Sequence, residues 1–443
     1  MDLDTGATAW MLMAASLVLL MTPGLALFYG GMTRSKSTLN MMMMSFGAMA
    51  VIGVVYVLWG WSMSYGSDIA GVVGNPLEHF GLAGTIYDGD GNFLIDDYGV
   101  PAVVGVAFQS TFAIITTALI SGAIADRTKF STWMVFVAIW VTLGYFPMAH
   151  MVWGGGLLGP EGPLASLAAP IDFAGGTVVH INAGVAGLVL ALVVGRRKGF
   201  REQQMRPHSL PLTMLGAALL WFGWFGFNAG SAFTADGVAG LAWVNTTTAT
   251  AAAVLGWLAT EKLRHGRATS LGAASGVVAG LVAITPAAAT VSPLGAILLG
   301  AVAGAACALA VGLKYRLGFD DSLDVVGVHL VGGLVGTVLI GFLSTDTGLF
   351  YGGGIAQLVV QAAIAVAAML FSAVVTAVIA LALRATMGWR VPEPVEVDGI
   401  DLAEHGESAY ESLAGRMIEA TPAAPPSPAA PTDPTARRME ADA

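Results

Sequence analysis

Residues Asp172 to Gly187 read DFAGGTVVHINAGVAG, and Asp321 to Gly336 read DSLDVVGVHLVGGLVG. Aligned on histidine, both copies carry Asp-x7-His followed by x2-small-Gly-x2-Gly. Asp172 thus pairs with Asp321, His180 with His329, Gly184 with Gly333 and Gly187 with Gly336. Each copy runs into uncharged apolar sequence of membrane-spanning character. Each aspartate sits where a helix is expected to begin, able to cap free N–H groups at the positive end of the helix dipole. Eight helical residues at about 1.5 Å each then carry each histidine roughly 12 Å into a hydrocarbon layer about 30 Å thick. Entering from opposite faces, the two imidazoles meet near the midplane, roughly 6 Å apart in depth. The pattern predicts two buried histidines related by an inverted duplication. A lone histidine could simply bridge two helices, and small-x-x-small spacing could serve packing alone. Two ionisable residues at matching depth in matching repeats are harder to leave idle, because buried polar groups in lipid are costly.

Composition agrees with a membrane protein. Of 443 residues, 56% are hydrophobic and 11% charged, about half the charge of a soluble chain. The single Cys307 excludes a disulfide framework and a cysteine metal site. The N-terminus, MDLDTGATAW, lacks a basic n-region, so the first apolar run reads as a retained helix rather than a secretory signal.

Charge-free stretches predict eleven spans, near residues 8–32, 39–63, 101–125, 130–152, 174–195, 209–230, 237–260, 268–289, 293–313, 325–344 and 354–383. The uncharged run 268–313 is too long for one helix, and Pro286 and Pro293 mark its break. All 19 Lys and Arg follow odd-numbered spans, from Arg34 and Lys36 through Arg196, Arg197, Lys198, Arg201 and Arg206 to the tail. The positive-inside rule therefore predicts an outside N-terminus and a cytoplasmic C-terminus. The opposite connections carry only acids, among them Asp68, Glu78, Asp88, Asp96, Glu161 and Asp236. Five spans per repeat is odd, so spans one to five run opposite to spans six to ten, an arrangement of transporters and channels. The fold expected is an all-α polytopic membrane protein: two inverted five-helix repeats plus a final helix. In chain terms these are residues 1–200, 201–345 and 346–385, then a cytoplasmic tail over 386–419 and a Pro/Ala-rich disordered extension over 420–443.

Span three contains AFQSTF, which sets Phe108 and Phe112 on one helical face beside Gln109. Span four ends in MAHMVWGGG, placing Trp153 beside a glycine run that cannot stay regular helix. Span six ends in WFGWFGFNAGSAF, supplying Trp221, Trp224, Phe227, Asn228 and Ser231. Aromatics belt membrane interfaces in general. Together these side chains offer a small cation π faces and a hydroxyl acceptor at a pore mouth, with attraction of about 0.5 to 2 kcal/mol per ring.

With DFAGGTVVHINAGVAG and DVVGVH (from Asp324), these motifs, over residues 8 to 415, resemble the ammonium transporter (Amt) family. The resemblance implies that Trp153, Phe112 and Ser231 form an outer recruitment site shaped by Asp172. It makes Phe112 and Phe227 a stacked gate, and His180 and His329 the pore histidines. Phe108, Gln109, Trp224, Asn228, Thr285, Asp321 and Asp324 would support the path. It further implies a homotrimer with one pore per subunit in the plasma membrane, and electrogenic uptake. The tail residues 384–415, from WRVPEP to DGIDLAEHGESAY, resemble the segment to which PII-type signalling proteins dock.

The chemistry is coherent, because a bare ion crosses an apolar constriction only at great cost. Removing the proton and passing neutral ammonia avoids most of that cost, and two facing imidazoles can hold ammonia by hydrogen bonds. Two alternatives stand beside this reading: an Rh-like channel for neutral gas, and an ammonium sensor that conducts little. Trp153 and Ser231 speak against the first, and a tail of only about 60 residues against the second. A membrane enzyme is disfavoured because two histidines and distant capping acids make a poor metal ligand set. No cofactor, metal or nucleic-acid partner is expected. The external DGDGN at Asp88–Asn92 resembles a cation loop but lacks the remaining ligand spacing.

Overall fold

The computed structural model describes residues 2–203 and 205–410, so the extension expected over 420–443, and the tail beyond 410, lie outside the described residues. Within them, eleven helices are long and apolar enough to cross a membrane. They are α1 (Thr5–Met32), α2 (Thr38–Tyr65), α3 (Ala102–Ile124), α4 (Phe130–Trp153), α5 (Gly176–Val194) and α6 (Leu210–Gly230). The remaining five are α7 (Gly237–His265), α8 (Ser270–Ala287), α9 (Pro293–Leu317), α10 (Val326–Leu343) and α11 (Ala356–Thr386). Two short helices follow, α12 (Glu393–Asp398) and α13 (Ile400–His405).

Side-chain caps set many of the starts. Asp4 accepts from Ala7 N, Ser209 from Leu212 N, Asp236 from Val238 N and Ala239 N, Thr269 from Gly272 N, and Ser292 from Gly295 N. Each satisfies backbone donors that a helix start leaves free. The long run 268–313 breaks where the prolines said: Thr285–Ala287 tightens into a 3-10 turn over Pro286, and Pro293 opens α9. α7 runs past residue 260 to His265. Lys262, Arg264 and His265 occupy its last turn, where the helix dipole favours cations, before Gly266 at φ 77° ends it.

The two copies of the signature begin differently from a plain α-helix. Residues Gly176–Ile181 and Val326–Leu330 are both π-helical, and each wide turn contains its histidine. The expectation of eight α-helical residues between Asp and His is therefore corrected. α5 starts four residues after Asp172 and α10 five after Asp321, so the depth arithmetic overstated the helical rise. Wide turns are rare and gather at functional positions.

The inversion shows in the contacts between α5 and α10. A Cβ on Gly176 would meet Thr337, one on Gly184 the backbone of Leu330, and one on Gly187 the side chain of Val325. Numbers fall along α10 as they rise along α5, so the two helices cross antiparallel. The crossing is tight enough that Cβ on Gly184 would sit 2.5 Å from Leu330 N, and on Gly333 3.1 Å from His180 Cβ. Gly184 and Gly333, paired in the sequence, thus bring the two histidines together.

One face of the bundle is acidic, carrying the loop between α2 and α3 with its short hairpin β1 (Asp68–Ile69) and β2 (Val73–Gly74). The other is basic, and there the tail docks. Glu396 of α12 accepts from Lys198 N (2.7 Å) and pairs with Arg390 (2.5 Å), while Arg34 donates to its carbonyl (2.8 Å). Asp401 of α13 caps α2 by accepting from Leu39 N (3.0 Å) and Asn40 N (2.8 Å). Beneath them Arg197 pairs with Asp320 (2.8 Å) and Asp126 (3.3 Å). Burial pushes the neighbouring Arg127 guanidinium down to about 10.

Candidate conduction site

On the acidic face a cavity of about 350 Å³ opens at the ends of α3, α4 and α6. Gln109 and Phe112 of α3, Trp153 of α4, Asp172, and Ser231 at the end of α6 all line it. The glycine run behaves as its composition requires: α4 stops at Trp153, and Gly155 lies at φ 88°. That turn leaves Trp153 at the rim, where its Nε1 donates to the Asp172 carbonyl at 2.9 Å. Ser231 Oγ donates to Phe227 O at 2.8 Å, leaving its oxygen lone pairs toward the cavity it lines.

Below the cavity the rings form a file. Trp153 lies edge-on to Phe112 at 6.1 Å between centroids and 85° between planes. Phe112 stacks on Phe227 at 4.1 Å and 22°, with both rings buried, closing the cavity floor. Phe227 lies 6.3 Å from His180, and His180 5.4 Å from His329. The two imidazoles face each other with Nδ1 to Nδ1 at 3.3 Å. One of those nitrogens must carry hydrogen and the other its lone pair. His180 Nε2 is buried without a hydrogen-bond partner among the described residues, a polar atom free to meet a small polar guest. Trp224 stacks on His180 at 5.5 Å and is pinned by its Nε1 bond to Thr285 Oγ1 at 2.9 Å.

Asp172 is a cap rather than a free group. Its Oδ1 accepts from Gly175 N (3.0 Å) and Gly176 N (2.5 Å); its Oδ2 accepts from Thr177 N (2.9 Å), Val178 N (3.2 Å) and the Thr177 hydroxyl. Burial raises its pKa above the ordinary carboxylate value, against the pull of those donors. Gly175 at φ 114° makes the bend that returns these amides to the carboxylate.

Not every expected residue joins the site. Phe108 backs Phe112 at 4.8 Å from behind the wall. Asn228 points away, donating to Thr246 Oγ1 at 2.9 Å, and so joins α6 to α7. Asp321 and Asp324 sit at the far end of α10 with Lys314, whose Nζ reaches Asp324 Oδ1 at 2.6 Å and the Asp321 carbonyl at 2.8 Å. The external DGDGN folds as a turn: the Asp88 carboxylate is taken up by Asp90 N, Asn92 N and Asn92 Nδ2. Four wall aromatics went unread in the sequence: Tyr65, Tyr98, Phe173 and Phe233. Phe233 stacks on Tyr98 at 5.2 Å, and its place two residues after Ser231 in the same motif was the available signal.

Residues 9–410 match the family model described as Ammonium Transporter Family. An ammonium transporter of Mycobacterium tuberculosis is 55% identical over 435 residues, covering 92% of this chain and 91% of its own. One from Aquifex aeolicus is 49% identical, with 92% and 94% covered. Among solved structures, Candida albicans Mep2 superposes with TM-score 0.81 at 33% identity, over 92% of this chain and 91% of its own. A structure described as a Sensor Amt Protein gives 0.82 at 28% identity, over 90% and 98%.

Proposed function

The chain belongs to the Ammonium Transporter Family, a family of transporters rather than enzymes, and on that footing we propose that it moves ammonium through the ring-lined path. The ion is recruited in the cavity at Trp153, Phe112 and Ser231, where π faces and a hydroxyl lone pair replace part of its hydration shell. It gives up its proton to water in the cavity above the Phe112–Phe227 stack, neutral ammonia passes to His180 and His329, and the facing imidazoles relay the proton separately, so that net charge moves. The observation that carries this reading is the continuous file from Trp153 to the histidine pair, ending at the unpartnered Nε2 of His180. A guest that both donates and accepts hydrogen bonds suits the Nε2 face of such imidazoles, and a bare cation is excluded by the apolar stack.

Several companions of this reading belong to the proposal. The acidic, cavity-bearing face is outside and the basic, tail-bearing face cytoplasmic, in the plasma membrane. The chain is divided as 1–200, 201–345 and 346–385 with a regulatory tail over 386–419, and it assembles as a homotrimer with a pore in each subunit. The tail, docked through Glu396 and Asp401, presents the platform for a PII-type protein.

Methylammonium uptake by the protein reconstituted in vesicles, with and without an imposed membrane potential, tests the reading. His180→Ala and His329→Ala should lose or change selective conduction while the protein still inserts. Unaltered uptake and ion selectivity in both variants would remove the pore assignment. Binding without flux in the unmodified protein would favour a sensor, and flux indifferent to the potential a neutral-gas channel.

A further inference from the structure

The last spanning helix stands outside both repeats, yet it grips the loop that ends in Asp172. Gln357 and Gln361 lie one turn apart on α11, with only 1% and 0% of their surfaces exposed. Side-chain amides at such depth are costly unless their hydrogen bonds are met. Here Gln361 Nε2 donates to Ile171 O at 2.7 Å, and its Oε1 accepts from Ile171 N at 2.9 Å. One amide thus answers both polar groups of a residue, as a neighbouring β-strand would. Gln361 Nε2 also reaches Thr337 O of α10 at 3.3 Å. Gln357 Nε2 donates to Ala169 O at 3.0 Å and to Gln361 Oε1 at 3.1 Å. With two donors on that Oε1, the orientation of the Gln361 amide follows from the network.

The residue after Ile171 is Asp172. Its carbonyl receives Trp153 Nε1, and the next N–H, of Phe173, goes to Pro286 O at 3.2 Å. Three elements therefore hold residues 171–173: α11 through Gln361, α4 through Trp153, and the 3-10 turn that ends α8 through Pro286. α11 is itself tied down below. Ser372 Oγ donates to Asn182 O at 2.8 Å, and Trp140 Nε1 to Thr376 Oγ1 at 2.9 Å. These bonds anchor α11 to α5 and α4 below the glutamine pair.

We propose that Gln361, oriented by Gln357, is a positioning residue for the outer site: it holds the loop 169–172 so that the Asp172 carboxylate and the carbonyl anchoring Trp153 keep their places. The clamp's role in transport rests on the recruitment reading above; its existence as a restraint does not.

Two measurements on full-length protein in vesicles test it. The first is amide hydrogen exchange over residues 168–180, and the second the KM and Vmax of methylammonium uptake. Gln361→Met keeps the length but removes donor and acceptor. It should speed exchange at residue 171 and at 175–178 about tenfold, and raise KM about five- to tenfold with Vmax within about twofold. Gln361→Glu keeps the acceptor for Ile171 N and should fall between. Gln357→Leu, losing the bond to Ala169, should shift both readouts less. Unchanged exchange in the Gln361 variants overturns the clamp, and faster exchange with unchanged KM overturns its positioning role. Should Gln361→Met fail to insert, the Glu and Gln357→Leu variants decide the same question. A wild-type protein without uptake would refute the transport reading instead, and exchange alone would still decide the clamp.

Discussion

The two copies of the signature share their spacing but not their electrostatics. Asp172 gathers four backbone N–H groups and a threonine hydroxyl, and among the described residues no cation forms an ion pair with it. Asp321 gathers only Val325 N (3.1 Å) and Val326 N (2.8 Å), and Lys314 stands beside it, bonded to its carbonyl and paired with Asp324. The acid at the cavity mouth thus has its charge met by hydrogen-bond donors alone, while its twin at the basic face has a lysine beside it that it shares with Asp324. A carboxylate with no cation beside it keeps its field for a visiting cation, whereas one beside a lysine shares that field with the lysine. The duplication supplied the same cap twice, and the partners that fold around each copy set one at the wall of the outer cavity and the other at a lysine-bearing corner.

The largest test of that contrast exchanges the acids for amides. Asp172→Asn should lower methylammonium uptake at least about tenfold, since it removes the only charged side chain lining the cavity among the described residues and weakens several charge-assisted bonds. Asp321→Asn should change uptake by less than about threefold. Equal losses in the two variants would erase the distinction.

The second test is pH. Burial, opposed by Lys314, pushes Asp321 up to about 6. An unfolded aspartate titrates near about 3.9, so the native state holds this proton more tightly. The contribution to stability is full below pH about 4 and is lost as pH rises through about 6, amounting to at most about 3 kcal/mol. The difference in thermal unfolding between Asp321→Asn and the wild type should therefore shift in favour of the variant across pH 4 to 6. A constant difference would show that Asp321 does not titrate there.

Making the second copy resemble the first is the third. Lys314→Met leaves Asp324 without its partner and the Asp321 carbonyl without its donor. With Asp324 one-quarter exposed, the cost is about 1–3 kcal/mol of stability, below that of a fully buried pair. Thermal unfolding in detergent measures it, and an unshifted transition would mean the lysine compensates nothing. The smallest effect concerns the ring at the rim: Trp153→Leu with Ser231→Ala should weaken apparent affinity by about 0.5–2 kcal/mol. Constant affinity in the double variant would detach the rim from recruitment.

What the sequence determined by itself follows from the bilayer. A single apolar segment in lipid must meet its own backbone hydrogen bonds as a helix, and its span is set by thickness, so eleven apolar runs, the break at Pro286 and Pro293, and the twin histidines could be read from local pattern. The capping acids were legible for the same reason, since a cap acts within a few residues. What only the tertiary structure decided depends on partners far apart in the chain. The π turns that aim His180 and His329 answer to the α5–α10 crossing, not to any local composition. Asn228 turned outward because Thr246 met it, and Tyr98 joined the cavity wall only because its loop folds over Phe233. Gln361 reads as one more polar residue in an apolar run until α11 lies against Ile171, 190 residues away. Hydropathy is a property of segments, whereas the direction of a hydrogen bond is a property of neighbours, and those neighbours exist only once the chain has folded.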